Sequence, residues 1–268
     1  MQSLKIACGQ FAPQPGDKTA NLEKIFHLAQ SAAGSGCQVI VFPELATTGY
    51  LAARLLRDLV EPLSGPTVQQ LQSIASESGI GVVCGLAELD DRSGARHNSA
   101  VAIDCHGCLL GVYRKIHLWA SEKEWAMPGV EFPLFDFGGF RAVSWICYDT
   151  RFPELGRLAR QSNADVALVS TAWLGQEWEW DVALRGRAMD NQVAVAGADL
   201  VGVEKEFPCH GYSRIVAADG HLLAAMEPGS EGVLVAEIDF TEQIRLRQEI
   251  PLWQDRQPDL YRRLGSEL

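Results

Sequence analysis

The sequence predicts a mixed α/β fold in which helices cover β-sheets in layers. Several short segments are apolar on both faces, such as Val39 to Phe42 in the strand that starts at Gln38, as expected of strands that are covered on both sides. Stretches with apolar residues at helical spacing alternate with these strands, first from Thr19 to Ala33 and again after Cys147. A chain of 268 residues, 47% of them hydrophobic, with a mean hydropathy of -0.01, is long enough to bury the core that such layers need.

The first half of the chain is predicted to contain five strands and three helices. Prolines and glycines between Ala12 and Asp17 end the first strand, and Gly34 and Gly36 end the first helix. The predicted strands are Leu4 to Gln10, Gln38 to Phe42, Gly81 to Leu86, Asn98 to Asp104 and Leu109 to Tyr113, and the predicted helices are Thr19 to Ala33, Ala53 to Val60 and Pro66 to Ser78.

The second half continues the alternation of strands and helices. Pro153 suits a first helical turn, and Asp219-Gly220 suits a hairpin turn. The predicted strands are Val143 to Ile146, Asp165 to Ser170, Val193 to Ala198, Arg214 to Ala218, Leu222 to Ala225 and Gly232 to Asp239, and the predicted helices are Glu154 to Gln161 and Trp180 to Asn191. Because no linker divides the chain, residues 1–268 are expected to form one domain. Its polar tail, from about 241 to 268, is predicted to pack as an arm on a neighbouring subunit.

The charge balance argues against nucleic acid and membranes as partners. The chain has 23 Lys and Arg against 34 Asp and Glu, a net charge of -11, and this field repels nucleic acid and anionic lipid surfaces. No run approaches the roughly 18 apolar residues of a membrane span. The N-terminus lacks the features of a signal peptide. Seven scattered cysteines without an export signal are expected to be reduced thiols, so the protein is predicted to be cytoplasmic.

Cys105 and Cys108 have the C-x-x-C spacing of metal sites and redox motifs. One pair supplies only half of a zinc site, and no second Cys/His pair with ligand spacing follows it. A redox pair would normally open a helix, whereas this one lies between two predicted strands. The two cysteines are therefore expected to fill a turn, and neither a metal nor another cofactor is predicted.

Three predicted strands are followed by a charged or nucleophilic side chain. Glu44 either reaches solvent at the rim of the sheet or belongs to a site, because an unpaired buried carboxylate is too costly. Lys115 is either a solvated rim lysine or a site cation. Cys147 lies between a strand and a helix, whose N–H groups would lower the thiol pKa from its usual value of about 8.5. Its alternative role is that of a small buried residue. His117 is a lone histidine, a kind that is more often structural.

These three groups form a complete set for attack on a carbon bonded to nitrogen. A thiolate attacks, a carboxylate takes and returns protons, and a fixed cation stabilises the developing oxyanion. The sequence around them resembles the nitrilase, or carbon–nitrogen hydrolase, superfamily, whose members use a Glu-Lys-Cys triad. The matching stretches, in the expected order from about residue 4 to 240, are V-I-V-F-P-E-L-A-T-T-G-Y with Glu44, Y-R-K-I-H-L with Lys115, I-C-Y-D-T-R-F-P-E with Cys147, R-G-R-A-M-D-N with Asp190 where the family usually has Glu, and H-G-Y-S-R with Gly211 and Ser213.

The resemblance implies a four-layer α-β-β-α sandwich. It also implies a homodimer or higher oligomer, paired through the helices that follow Cys147 and Trp180. The family tends to place a second glutamate four residues before a Pro-Gly pair. Glu124 fits that spacing and is assigned to this role, with Glu122 close enough to compete for it.

The resemblance further implies a reaction in which a small amide and water give an acid and ammonia. Glu44 deprotonates Cys147, whose sulfur attacks the amide carbon while Lys115 and the backbone N–H of Tyr148 hold the oxyanion. Glu44 then protonates the departing ammonia, and water activated by Glu44 hydrolyses the remaining thioester. Glu124 would orient Lys115 or the amide.

The substrate is less well defined by the sequence. The stretch from Tyr148 to Pro153 resembles amidase branches that act on small amides bearing a carboxylate, such as omega-amidase and deaminated glutathione amidase. Ser170-Thr-Ala-Trp173 departs from the segment common in those branches. Arg151 either pairs with a substrate carboxylate or forms a structural salt bridge with a helix acid. Tyr50, Thr171 and Trp173 complete the predicted pocket, although large aromatic residues are also ordinary core.

Four functions other than amide hydrolysis are also considered. A nitrile hydrolase would use the same triad through a thioimidate. An N-carbamoyl amidohydrolase would release carbon dioxide with ammonia. A catalytically silent binding or assembly module is less favoured because all three reacting groups are present, and a redox or metal protein built on Cys105 and Cys108 comes last.

Overall fold

The structure, a computed structural model, describes residues 2–51, 53–204 and 207–262. The strands are β1 (Ser3–Gln10), β2 (Val39–Val41), β3 (Gly81–Leu89), β4 (Arg96–Ile103), β5 (Leu109–Arg114), β6 (Leu134–Asp136), β7 (Arg141–Ile146), β8 (Val166–Thr171), β9 (Ala194–Asp199), β10 (Val201–Glu204), β11 (Phe207–His210), β12 (Arg214–Val216), β13 (Leu222–Ala225) and β14 (Gly232–Asp239). The helices are α1 (Lys18–Gly34), α2 (Ala53–Leu59), α3 (Pro66–Ser78), α4 (Pro153–Gln161), α5 (Glu177–Asn191), α6 (Phe240–Glu249) and α7 (Pro258–Tyr261). Two short 3-10 helices cover Ala120–Glu124 and Cys147–Arg151.

Most strands of the described ranges belong to two six-stranded sheets. The first has the order β14-β1-β2-β3-β4-β5 and the second β13-β12-β9-β8-β7-β6, while β10 and β11 form a separate hairpin. In the first sheet β2 and β3 are parallel and β4 and β5 alternate in direction, so β5 runs the same way as β2. In the second sheet β7, β8 and β9 are parallel. The carboxyl ends of β2 and β5 therefore lie at one edge of the first sheet, and those of β7 and β8 at one edge of the second.

Helices cover the outer face of each sheet, and the two sheets pack against each other. Apolar side chains of α1 and α3 form one core with the first sheet, among them Ile25, Leu71, Ile40 and Val82. A second core joins both sheets to α4 and α5, and it includes Val41, Val83, Trp145, Leu168, Leu155 and Leu184. The layers therefore run α-β-β-α, and the predicted four-layer α/β sandwich is confirmed.

Most predicted helices are confirmed, with boundaries set by local chemistry. The Asp17 side chain accepts a hydrogen bond from the Ala20 N–H at 3.0 Å and caps α1. Gly79 adopts the left-handed conformation that ends α3, and Pro153 is the first residue of α4. In the described part of the chain, no helix combines the length and the apolar character needed to cross a lipid bilayer.

The structure also contains elements that sequence patterns did not predict. The strand β6 has three residues, too few to show a period, and β11 contains Pro208. Residues 240–249, assigned to the polar arm, form α6 and pack on their own chain. The Gln243 side chain donates to the Asp165 carbonyl at 3.0 Å and accepts from the Ala194 N–H at 3.1 Å. A partner contact for the tail stays a prediction, and its residues 263–268 lie outside the described residues.

Gly85 is predicted to be essential for the packing of β3 against the segment that carries Glu44. A Cβ atom at Gly85 would lie 2.4 Å from the Pro43 carbonyl oxygen and 2.7 Å from the Glu44 Cα. Because backbone atoms cannot easily move, Gly85→Ala should lower the free energy of unfolding by about 2 kcal/mol in urea titrations. Gly34→Ala is the matched control, because nothing lies within 4 Å of a Cβ there. Equal stability of the two variants would contradict this packing argument.

Candidate active site

Glu44 is a buried carboxylate just beyond the carboxyl end of β2. Its side chain is fully buried. Oε1 accepts hydrogen bonds from Lys115 Nζ and from Asn98 Nδ2, each at 2.7 Å. Oε2 accepts from the backbone N–H of Ala172 at 3.1 Å. The alternative of a rim carboxylate in solvent is therefore wrong, and Glu44 belongs to a buried polar cluster.

Lys115 lies directly after β5 and is buried as well. Its ammonium group donates to Glu44 Oε1 at 2.7 Å and to Glu122 Oε1 at 2.6 Å. Its backbone N–H donates to the Asn98 carbonyl and its carbonyl accepts from the Gly129 N–H, both at 2.8 Å. The alternative of a solvated rim lysine is therefore wrong, and one cation is fixed between two carboxylates.

The second glutamate beside Lys115 is Glu122, so the assignment to Glu124 was wrong. Glu122 is buried, accepts from the Tyr50 hydroxyl at 2.8 Å through Oε1, and accepts from the Trp119 N–H at 2.8 Å through Oε2. The side chain of Glu124 is exposed. Successive side chains of a 3-10 helix point about 120° apart. Glu122 and Glu124 are two positions apart, so their side chains point in different directions and cannot both face Lys115.

The three charges of this cluster shift each other's protonation. Burial raises the pKa of Glu44 to about 7, and the nearby Glu122 carboxylate adds to the rise, while Lys115 and the Asn98 hydrogen bond oppose it. Burial alone would lower the pKa of Lys115, but the two carboxylates raise it above its usual value. Lys115 therefore stays charged, and Glu44 can gain or lose a proton near neutral pH.

Cys147 starts the 3-10 helix that connects β7 to α4. Its Sγ donates to the Ala172 carbonyl at 3.6 Å, and the residue is partly exposed. The expectation of a lowered thiol pKa was wrong, because burial and the Glu44 carboxylate together raise it well above the usual value, against the effect of Lys115. The helix α4 begins only at Pro153, too far along the chain to act on the sulfur through its first turn. The thiol is therefore protonated at rest and needs a base.

Backbone strain coincides with the segments that carry these groups. Leu45, Ala120 and Cys147 have positive φ angles of 49°, 42° and 47°. Residues with a side chain rarely adopt this left-handed conformation, because it costs on the order of 1–3 kcal/mol per residue. Residues strained in this way are concentrated at functional sites. One strained residue follows Glu44, one begins the turn of Glu122, and one is Cys147 itself.

Asp149 ties the cysteine turn to the segment after Lys115. Its buried carboxylate accepts from the Ile146 N–H at 3.1 Å, the Tyr113 hydroxyl at 2.7 Å and the His117 N–H at 2.9 Å. The His117 ring contacts the same carboxylate at 2.8 Å and stacks on Phe152 at 3.5 Å between ring centroids. The structural role expected of His117 is therefore confirmed.

A cavity of about 180 Å³ opens onto the Cys147 thiol. Its lining residues are Tyr50, Trp119, Cys147, Tyr148, Arg151, Ala172, Trp173, Leu174 and Gly175. Tyr50, Tyr148, Arg151 and Trp173 were predicted to line it and do so, whereas Thr171 is buried at the end of β8 and is absent from the lining. A larger depression of about 510 Å³, around Glu88 and Arg114, contains no cysteine. We therefore take the smaller cavity as the candidate substrate pocket.

Arg151 lies at this cavity in contact with two neighbours. The central carbon of its guanidinium lies 4.8 Å from the centroid of the Trp173 ring. A guanidinium nitrogen lies 3.2 Å from the carboxylate of Glu179, a residue of α5. Both expected roles of Arg151 thus have support, because the salt bridge with a helix acid exists and the side chain also lines the pocket.

Sequence patterns missed several residues of the site. Asn98 donates to Glu44 from inside β4, and Trp119 lines the pocket. Asp199, at the end of β9, accepts from the Trp173 N–H at 2.8 Å, and burial raises its pKa to about 7. A polar residue within or at the end of an apolar strand was the available signal for Asn98 and Asp199.

In the described ranges no group of three or more His, Cys, Asp or Glu side chains could hold a metal ion. Cys105 and Cys108 lie in the turn between β4 and β5, where Asp104 Oδ1 accepts from the Cys108 N–H at 2.8 Å. The two cysteines therefore belong to a tight turn, as expected.

Known proteins similar to this chain include nitrilases and amidases. A probable nitrilase of Schizosaccharomyces pombe is 32% identical over 267 residues, covering 97% of this chain and 98% of its own. The 2-oxoglutaramate amidase of Bacillus subtilis is 33% identical over 261 residues, covering 96% and 98%. A mutant of the amidase from Nesterenkonia sp. AN1 superposes with a TM-score of 0.84 at 28% identity, covering 97% of each chain, and shows covalent addition of the acetamide moiety of fluoroacetamide at its active-site cysteine.

The fold and the relatives show that the protein is an enzyme that hydrolyses carbon–nitrogen bonds of amides. A family model described as carbon–nitrogen hydrolase matches residues 5–248. The chain therefore belongs to the carbon–nitrogen hydrolase family, within the nitrilase superfamily.

Removal of the Lys115 charge should destabilise the fold in a pH-dependent way. Lys115→Met leaves Glu44 and Glu122 buried without a cation, so the free energy of unfolding at pH 7.5 should fall by about 3–5 kcal/mol. An acid whose folded pKa is raised stabilises the fold below its unfolded pKa and loses that contribution as pH rises. The deficit should therefore shrink at pH 5, as measured by urea unfolding at both values.

Lys18→Met is the control for this prediction. Lys18 pairs with Glu61 at a partly exposed position, so its loss should cost about 1 kcal/mol or less. A Lys115→Met deficit of equal size at both pH values would contradict the proposed charge balance.

Proposed function

We propose that Glu44, Lys115 and Cys147 hydrolyse a small amide through a cysteine thioester. The observation that carries the proposal is that the backbone of one residue, Ala172, contacts both the base and the nucleophile. The Ala172 N–H donates to Glu44 Oε2, and the Ala172 carbonyl accepts from the Cys147 thiol. A thiol whose pKa is raised needs such a base, and a base with a pKa near 7 suits proton transfer in both directions.

In the first half-reaction, Glu44 takes the thiol proton as the Cys147 sulfur attacks the carbonyl carbon. Lys115 and the N–H of Tyr148 would stabilise the oxyanion that forms. When the carbon–nitrogen bond breaks, Glu44 returns the proton to nitrogen, so that ammonia leaves and a thioester remains.

In the second half-reaction, Glu44 takes a proton from water, which attacks the thioester. The carbon–sulfur bond breaks, the proton returns to sulfur, and the acid leaves. The sum is amide plus water giving acid plus ammonia. Glu122 would hold the Lys115 ammonium in place and need not touch the substrate.

The pocket supports a small substrate with a negative charge away from its amide. A cavity of about 180 Å³ has room for a small molecule, and its described lining has aromatic walls with Arg151 as the one cation. A substrate carboxylate could replace Glu179 on the Arg151 guanidinium at the mouth. The name of the Bacillus subtilis relative, 2-oxoglutaramate amidase, denotes a substrate of this type.

We further propose a homodimer that forms through α4 and α5. The outer surface of α5 exposes Trp178, Val182 and Met189, and α4 exposes Leu158. Large exposed apolar side chains on neighbouring helices are typical of protein interfaces.

The seven cysteines are all free thiols, which supports a reducing compartment such as the cytoplasm.

Cys147→Ala should abolish ammonia release from small amides while leaving the fold intact. The chemistry needs the sulfur as nucleophile, whereas alanine occupies the same space without strain beyond that already present. The assay compares amides, nitriles and carbamoyl compounds, with carbon dioxide measured for the last class. Cys108→Ala, at an exposed turn, is the control and should keep full activity. Ammonia release by a folded Cys147→Ala protein would refute the assignment, and release from nitriles alone would favour the nitrilase alternative.

Arg151→Met should distinguish charged from neutral substrates. Loss of the guanidinium should raise KM by about tenfold for amides with a distal carboxylate, because a charged hydrogen bond is lost. For neutral amides of the same length KM should change little. Equal effects on both substrate types would show that Arg151 only braces Trp173 and α5.

A further inference from the structure

Asn98 is a buried amide that contacts both charged partners of the site. It lies on β4, and its side chain is fully buried. Its Nδ2 donates to Glu44 Oε1 at 2.7 Å, and its backbone carbonyl accepts from the Lys115 N–H at 2.8 Å. The residue therefore connects the strand end that carries the base with the one that carries the cation.

The hydrogen bonds of Glu44 make its two oxygens unequal. Oε1 accepts from both Lys115 and Asn98, whereas Oε2 accepts only from the Ala172 N–H at 3.1 Å among the described residues. The carbonyl of the same Ala172 accepts from the Cys147 thiol. Oε2 thus shares the Ala172 backbone with the nucleophile, and it has a lone pair left for a proton.

We propose that Asn98 is a positioning residue that occupies Oε1 of Glu44 and thereby makes Oε2 the oxygen that exchanges the proton with Cys147. This inference rests on the proposed thioester chemistry, in which Glu44 is the base. Lys115 alone would fix Oε1 from one side, and the Asn98 amide fixes it from a second, so the carboxylate cannot rotate without the loss of two bonds.

The same hydrogen bond affects when Glu44 can act as a base. A side-chain N–H donated to a carboxylate favours its ionised form. Burial and the Glu122 carboxylate act in the opposite direction, so the Asn98 bond keeps the pKa of Glu44 from rising further. The titratable groups that interact with Glu44 come from every surrounding segment and are Tyr50, Lys115, Glu122, Cys147 and Asp199.

The test is the pH dependence of kcat/KM in Asn98→Leu, which keeps the shape of the side chain and removes the donor. The acidic limb, where activity falls as Glu44 gains a proton, should move up by about one pH unit. Activity should recover toward the wild-type value at high pH. The rate of Cys147 alkylation by iodoacetamide, followed over the same pH range, should show the same shift and needs no substrate.

Ser99→Ala is the matched control. Ser99 is the next residue of β4, is equally buried, and also donates to a buried carboxylate, Glu88 Oε2 at 2.6 Å. Its loss should destabilise the protein without moving the acidic limb. If Asn98→Leu does not fold, Asn98→Asp replaces it and should move the limb further upward, because it adds a like charge beside Glu44.

The outcomes separate this inference from the proposed function. A folded Asn98 variant whose activity and alkylation rates fall equally at every pH would show a purely structural role and overturn the inference. Glu44→Gln tests the proposed function itself, since retained hydrolysis there would remove Glu44 as the base. An inactive Glu44→Gln together with an unmoved limb in the Asn98 variant would leave the proposed function standing and reject only the role of Asn98.

Discussion

The site depends on one buried ammonium held between two carboxylates. Lys115, Glu44 and Glu122 are all removed from water, and an uncompensated charge at this depth would cost several kcal/mol. The cluster is tolerable because both carboxylates contact the same Nζ and because further donors reach every carboxylate oxygen. Asn98 and Tyr50 also donate to the two Oε1 atoms, and the Ala172 and Trp119 N–H groups donate to the two Oε2 atoms. Holding these donors in place requires a rigid scaffold.

The sandwich supplies that scaffold by placing strand ends from two sheets together. β2 and β5 run in the same direction and present Glu44 and Lys115 at one edge of the first sheet. β7 and β8 are parallel in the second sheet and present Cys147 and Ala172. Because the sheets pack face to face, the backbone of Ala172 reaches the carboxylate of the first sheet through its N–H and the thiol of the second sheet through its carbonyl.

The alternation of apolar strands with helices allowed the mixed α/β fold to be predicted. Glu44, Lys115 and Cys147 could be singled out because each follows an apolar strand, where a charge or a thiol is conspicuous. It was less informative about side-chain direction. Glu124 fitted a spacing rule, but the turn of the 3-10 helix directs Glu122 to the lysine. The thiol pKa was misjudged because burial and the Glu44 carboxylate, which is distant in sequence, both raise it. Asn98 stood out only as a polar residue inside an apolar strand, because its partner Glu44 lies 54 residues away in the sequence.

The thioester mechanism requires an acyl group on the Cys147 sulfur during turnover, and this group can be sought directly. Enzyme mixed with a small amide would be quenched in acid before the first turnover is complete, digested, and its Cys147 peptide weighed by mass spectrometry. This peptide should gain the mass of the acyl group as ammonia appears, and lose it as the acid forms. Ammonia release at the same rate with the peptide unmodified at every time point would contradict this mechanism.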